Sequence, residues 1–237
     1  MKKLYEKSEL RFAIVMIAVY VVGCSLADSI SRSIHLSSSI SLVWTFCLSL
    51  ILYSFVRNNH RMEYYGLKIP AYPYKRALYF IPLLLLASVN LWFGVQINES
   101  ILVTILTIPT MLLTGFLEEL LFRGFLFKAL EKENVNKAII ISSITFGMGH
   151  IVNLINGSGA QLLPNLCQVF YAIAIGFTFV ILFYKGKSLL PCILCHGTLN
   201  ALAIFCNNEL ANQYIIQISL ALGIISIFYA CYLDKKL

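Results

Sequence analysis

Two adjacent carboxylates and a guanidinium lie within one apolar run, Leu117-Glu118-Glu119-Leu120-Leu121-Phe122-Arg123. His150 and His196 stand further along, each in apolar surroundings. Asn153 follows the first by three residues and Asn200 follows the second by four. Carboxylates and imidazoles take and give protons near neutral pH, and amides donate hydrogen bonds to developing negative charge. The candidate site is therefore Glu118, Glu119, Arg123, His150, His196 and Asn200. Each charge near the centre of a membrane-spanning helix costs roughly 2.5–3.5 kcal/mol on insertion scales. Three such groups so close together read first as a functional site. For Glu119 and Arg123, four apart on one helix face, a purely structural ion pair is an equal reading.

The elements that must position these residues are apolar helices. Apolar residues make up 59% of the 237-residue chain and charged residues 12%; the mean hydropathy is +0.81. Soluble domains carry about 25% charged residues. The hydrophobic pattern predicts an all-α polytopic membrane protein of about eight transmembrane helices. These run near 11–27, 38–56, 77–95, 101–127, 138–155, 165–184, 189–206 and 213–232. One integral-membrane domain over 1–237 is expected, with no polar stretch long enough for a second.

The loop charges support this division. Basic residues crowd every alternate connection: Lys2, Lys3, Lys7 and Arg11; Arg57, Arg61, Lys68, Lys75 and Arg76; Lys128, Lys132 and Lys137; Lys185 and Lys187; Lys235 and Lys236. The opposite connections hold Arg32 with Asp28, Glu99 and Glu209. The positive-inside rule then puts both termini on the cytoplasmic side of a cell membrane. The net charge of +7 is spread over short loops, which argues against a nucleic-acid partner; the lipid bilayer is the expected one. Met62-Glu63-Tyr64-Tyr65-Gly66-Leu67-Lys68-Ile69-Pro70 reads as an interfacial loop. Met1-Lys2-Lys3 and Val21-Val22-Gly23-Cys24 imitate a signal peptide and a lipoprotein cleavage site, but Glu6, Glu9 and the seven later spans favour a retained first span.

Orientation gives depth. Glu118 precedes Lys128 by ten residues, His150 follows Lys137 by thirteen, and His196 follows Lys187 by nine. At 1.5 Å per residue all three lie roughly 13–20 Å from the cytoplasmic ends of their helices. Gly115, Gly124, Gly147, Gly149 and Gly197 surround them and allow close helix approach.

Glu118-Glu119-x-x-x-Arg123, Phe146-x-x-x-His150 and His196-x-x-x-Asn200 resemble, in order, the three signatures of the CPBP intramembrane protease family. That family includes CAAX prenyl endopeptidases and bacterial abortive-infection and bacteriocin-processing proteins. The resemblance covers about 60–205 and includes Gly66-Leu67 and the turn Gly186-Lys187-Ser188-Leu189-Leu190-Pro191. It implies an endopeptidase acting on a membrane-associated peptide or protein. Glu118 would activate water with His150 beside it, His196 and Asn200 would bind the oxyanion, and Glu119 would lock Arg123. The short, basic chain points to a bacterial source.

Two questions of cofactor arise. Glu118, His150 and His196 are a possible two-histidine, one-carboxylate Zn2+ set; the His-Glu-x-x-His helix is absent, so a metal-free glutamate mechanism stands beside it. Cys192-Ile193-Leu194-Cys195-His196 imitates a haem-attachment motif but lies on a span. The other cysteines read as small apolar residues, and Phe177, Phe179 and Phe183 as core or lipid face. A proton or ion carrier, and a non-catalytic immunity or adaptor protein, are the rival functions.

Overall fold

In a computed structural model, residues 1–69 and 78–236 are described. Lys75, Arg76, the Pro70 end of the interfacial loop and the Ala77 start of the third segment lie outside them. The elements are α1 (Lys2–Lys7), α2 (Glu9–Ser33), α3 (Ser39–Asn58), α4 (Ile81–Ala87), α5 (Ile101–Glu118), a π-helix (Glu119–Phe127), α6 (Lys128–Glu131), α7 (Val135–Gly149), α8 (Leu162–Gly186), α9 (Leu190–Leu202), α10 (Asn208–Gln213) and α11 (Ile215–Lys236). Among the described residues the only β-type pairing is one isolated bridge, Val95 to Cys206. The protein is an all-α polytopic membrane protein.

Six of the described helices are long and apolar enough to cross a bilayer: Glu9–Ser33, Ser39–Asn58, Ile101–Glu131, Val135–Leu154, Leu162–Gly186 and Ile215–Lys236. They match six of the eight expected segments. The third and seventh segments form the shorter helices Leu78–Ala87 and Leu190–Phe205. Polar side chains explain the shortening. Asn90, in the 3-10 turn Val89–Leu91, donates to the Leu199 carbonyl at 2.7 Å. Asn98 donates to the carbonyls of Ile204 and Cys206, both at 2.9 Å, where α9 has given way to the 3-10 turn Ala203–Phe205. Side-chain amides thus replace further helical turns.

The described residues form two compact units. The first comprises Met1–Val21, Leu120–Leu189 and Tyr214–Leu237. Its core includes Phe12, Leu121, Phe127, Phe179, Phe183 and Leu233. Phe179 and Phe183 are therefore core, as their pattern suggested. Small residues set the helix approach: a Cβ on Gly176 of α8 would lie 3.2 Å from the Ser143 backbone of α7. The Thr178 hydroxyl donates to the Ser226 carbonyl of α11 at 2.8 Å. Lys187 ends α8 in the left-handed region, φ 56°, its N–H bonded to the Phe183 carbonyl at 2.8 Å.

The second unit comprises Val22–Glu119 and Leu190–Gln213. α5 starts at Ser100, whose side chain accepts from the Val103 N–H. It packs on α3, where the Ser38 and Thr107 hydroxyls meet at 2.9 Å. The Cys195 thiol of α9 donates to the Leu83 carbonyl of α4 at 3.3 Å. Cys195 is thus a helix-packing donor.

Candidate functional site

The carboxylates sit where the backbone changes type. α5 ends at Glu118 and the π-helix begins at Glu119. π-type turns are rare and concentrate at functional sites. All nine residues Glu119–Phe127 are buried, so the widened turn packs on every side. The Ser142 hydroxyl of α7 supplies a donor to the Phe122 carbonyl at 2.8 Å.

In the second unit, α5 meets α9 through glycine. A Cβ on Gly115 would lie 2.5 Å from the Gly197 nitrogen and 2.6 Å from its Cα. With no side chain on either glycine, the two backbones approach closely. His196, next to Gly197, thereby reaches both carboxylates. Its Nδ1 is 2.7 Å from Glu119 Oε1, and its Nε2 is 3.3 Å from Glu118 Oε2. The His196 side chain is 8% exposed, Glu119 0% and Glu118 13%. Glu119 is the fixed partner: fully buried, its Oε1 holds the ring through Nδ1 and fixes the ring plane. Glu118, slightly more exposed, faces Nε2. Asn200, half-buried, lies one turn beyond His196 on α9.

Arg123 and His150 belong to the first unit. The Arg123 guanidinium lies 4.0 Å from the centre of the Phe146 ring and 5.6 Å from that of Phe179. The edge of Phe146 meets His150, centroids 5.6 Å apart. Phe146 is thus a plate between cation and imidazole, a physical reason for the Phe146-x-x-x-His150 spacing. His150 opens the 3-10 turn His150–Leu154 after α7. Asn153 bonds Gln168 of α8 at 3.4 Å, a packing role.

The structure therefore brings Glu118, Glu119 and His196 together. The Glu119–His196 pair was missed because four-residue spacing speaks only of neighbours on the same helix. Replacing Phe146 by Leu should lower stability by about 2–4 kcal/mol, through lost stacking on Arg123 and lost ring volume. Equilibrium unfolding in detergent measures this; Phe146→Trp, which keeps a π-face, should lose less.

Among the described residues no group of three or more His, Cys, Asp or Glu side chains is arranged to hold a metal ion. Glu118 and His196 supply two donors, and Glu119 behind Nδ1 is the kind of partner that orients a metal-binding histidine.

The model of the family described as "Type II CAAX prenyl endopeptidase Rce1-like" matches residues 99–202, which contain all six candidate residues. The chain is 29% identical over 134 residues to the Bacillus subtilis (strain 168) protein named "Putative membrane peptidase YdiL". That match covers 54% of this chain, and the chain spans about half (50%) of that relative's length. No solved structure matches the chain significantly. Residues 99–202 are thus similar to the Rce1-like family, in keeping with the three signatures that resemble the CPBP group.

Proposed function

We propose that this protein is an intramembrane endopeptidase that hydrolyses a peptide bond in a membrane-associated peptide or protein. The observation that supports it best is His196 held between Glu118 and buried Glu119, inside the segment that matches the family. Glu118 takes a proton from water as the water oxygen attacks the scissile carbonyl carbon. His196 and the Asn200 amide donate to the resulting oxyanion, and Glu119 keeps His196 oriented. Glu118 then returns the proton to the departing nitrogen as the C–N bond breaks. Its resemblance to the second signature makes His150 part of the proposed machinery, with Arg123 and Phe146 fixing its surroundings. The loop charges support cytoplasmic termini; a bacterial cell membrane, with a peptide precursor or membrane-protein tail as substrate, completes the reading.

The test is a proteoliposome assay with a membrane-derived peptide library, new termini being read by mass spectrometry. Discrete new termini are expected. Proton flux in the same vesicles without cleavage would favour a carrier. Neither activity from folded protein would favour an adaptor.

The chemistry written above uses no metal and is one of the two readings that the residues leave open, the other being a zinc site. Turnover should therefore survive strong chelators, and active protein should carry far less than one zinc per chain. Chelator inhibition rescued by zinc would instead support a site at Glu118, His150 and His196.

A further inference from the structure

An amide in the apolar run of a spanning helix is unfavourable unless it is bound. Asn165 of α8 is 3% exposed. Its Nδ2 donates to the His150 backbone carbonyl at 2.9 Å. That carbonyl lies where α7 changes to a 3-10 turn, a point at which regular helical bonding is interrupted. Gln168, three residues on and on the same face of α8, accepts from Asn153 at 3.4 Å. The turn is thus tied to α8 near both ends. The Asn165 Oδ1 is buried and has no hydrogen-bond partner among the described residues. A half-satisfied buried amide is a poor device for stability alone.

We propose that Asn165 is a positioning residue: by holding the His150 carbonyl it fixes where the imidazole stands against Phe146. This rests on the proteolytic reading above. Leucine has nearly the size of asparagine and no donor, whereas glutamine keeps the donor. With the peptide cleaved fastest by the wild type, Asn165→Leu should lower kcat about tenfold with KM within about twofold, and Asn165→Gln should recover most of the loss. Histidine-selective 15N spectra should show the His150 ring signals shifted in Asn165→Leu and near wild type in Asn165→Gln. Should the leucine variant fail to fold, Asn165→Ala takes its place in both measurements.

Wild-type kcat and unshifted His150 signals in the donor-free variant would overturn the inference. So would equal losses in the leucine and glutamine variants that follow thermal stability, since those mark a purely structural contact. Glu118→Ala, run beside them, separates the two levels of argument. If it retains turnover, the protease reading fails; if it is inactive while Asn165→Leu is unaffected, only the positioning role fails.

Discussion

Glu118→Gln should lower kcat by about 10²–10⁴-fold, the usual contribution of a positioned proton-transfer group, with a much smaller change in KM. Glutamine keeps the length and the polar end of the side chain but takes no proton from water. The substitution separates chemistry from packing because Glu118 is the less buried of the two carboxylates, and its 3.3 Å approach to His196 Nε2 is long. The introduced amide can keep that approach. Folding should therefore survive, as thermal unfolding and gel filtration would show. Turnover within about twofold of wild type, from folded Glu118→Gln protein, would remove Glu118 from the mechanism and favour the carrier or adaptor. Glu119→Gln is the informative companion: it keeps a hydrogen bond to Nδ1 and loses the charge behind the ring. A smaller loss is expected from it, because Glu119 acts through His196.

The second large effect is expected at a residue with no functional group. Gly115→Ala adds one methyl group, which would sit 2.5 Å from one α9 backbone atom and 2.6 Å from another. No side-chain rotation relieves a clash with backbone, so α5 and α9 must move apart. Overpacking of this kind costs about 1–3 kcal/mol. The displacement also draws His196 from Glu118 and Glu119, and a shift near 1 Å in catalytic geometry costs about 10²-fold in rate. Gly197→Ala is the control. Its methyl would meet Leu112 Cα, Cδ2 and O at 3.3 Å, a tight contact that calls for a shift of only a few tenths of an ångström, so a smaller effect is expected. Stability and kcat/KM of the two variants, side by side, test the account. Equal effects would mean that the glycine crossing does not set the site.

Much of this architecture is legible in the sequence. Apolar length and alternating loop charge locate the helices, because the cost of burying charge in lipid leaves a strong record in composition. Glu118, Glu119, His150 and His196 are visible for the same reason. The pairing is less legible. Glu119 meets His196 from 77 positions away, and helical periodicity speaks only of neighbours three or four residues apart. The π-helix leaves no mark either, since Glu-Leu-Leu-Phe-Arg-Gly-Phe-Leu-Phe suits an α-helix equally well. Asn90 and Asn165 did leave a signal: an amide in an apolar segment needs a partner, and both find backbone carbonyls far along the chain. The short third and seventh helices follow from such partners, which hydropathy does not count.

α9 and the 3-10 turn that continues it run from Leu190 to Phe205, about 25 Å in all, against a hydrocarbon layer of about 30 Å. A hydrophobic mismatch of this size draws headgroups and solvent toward the helix or thins the leaflets around it. Water is then expected to come closer to the helix that carries His196 than to its longer neighbours. On the proteolytic reading, hydrolysis needs water where lipid excludes it; a local bilayer deformation would supply that co-substrate, so that membrane thickness would act on the rate alongside the side chains.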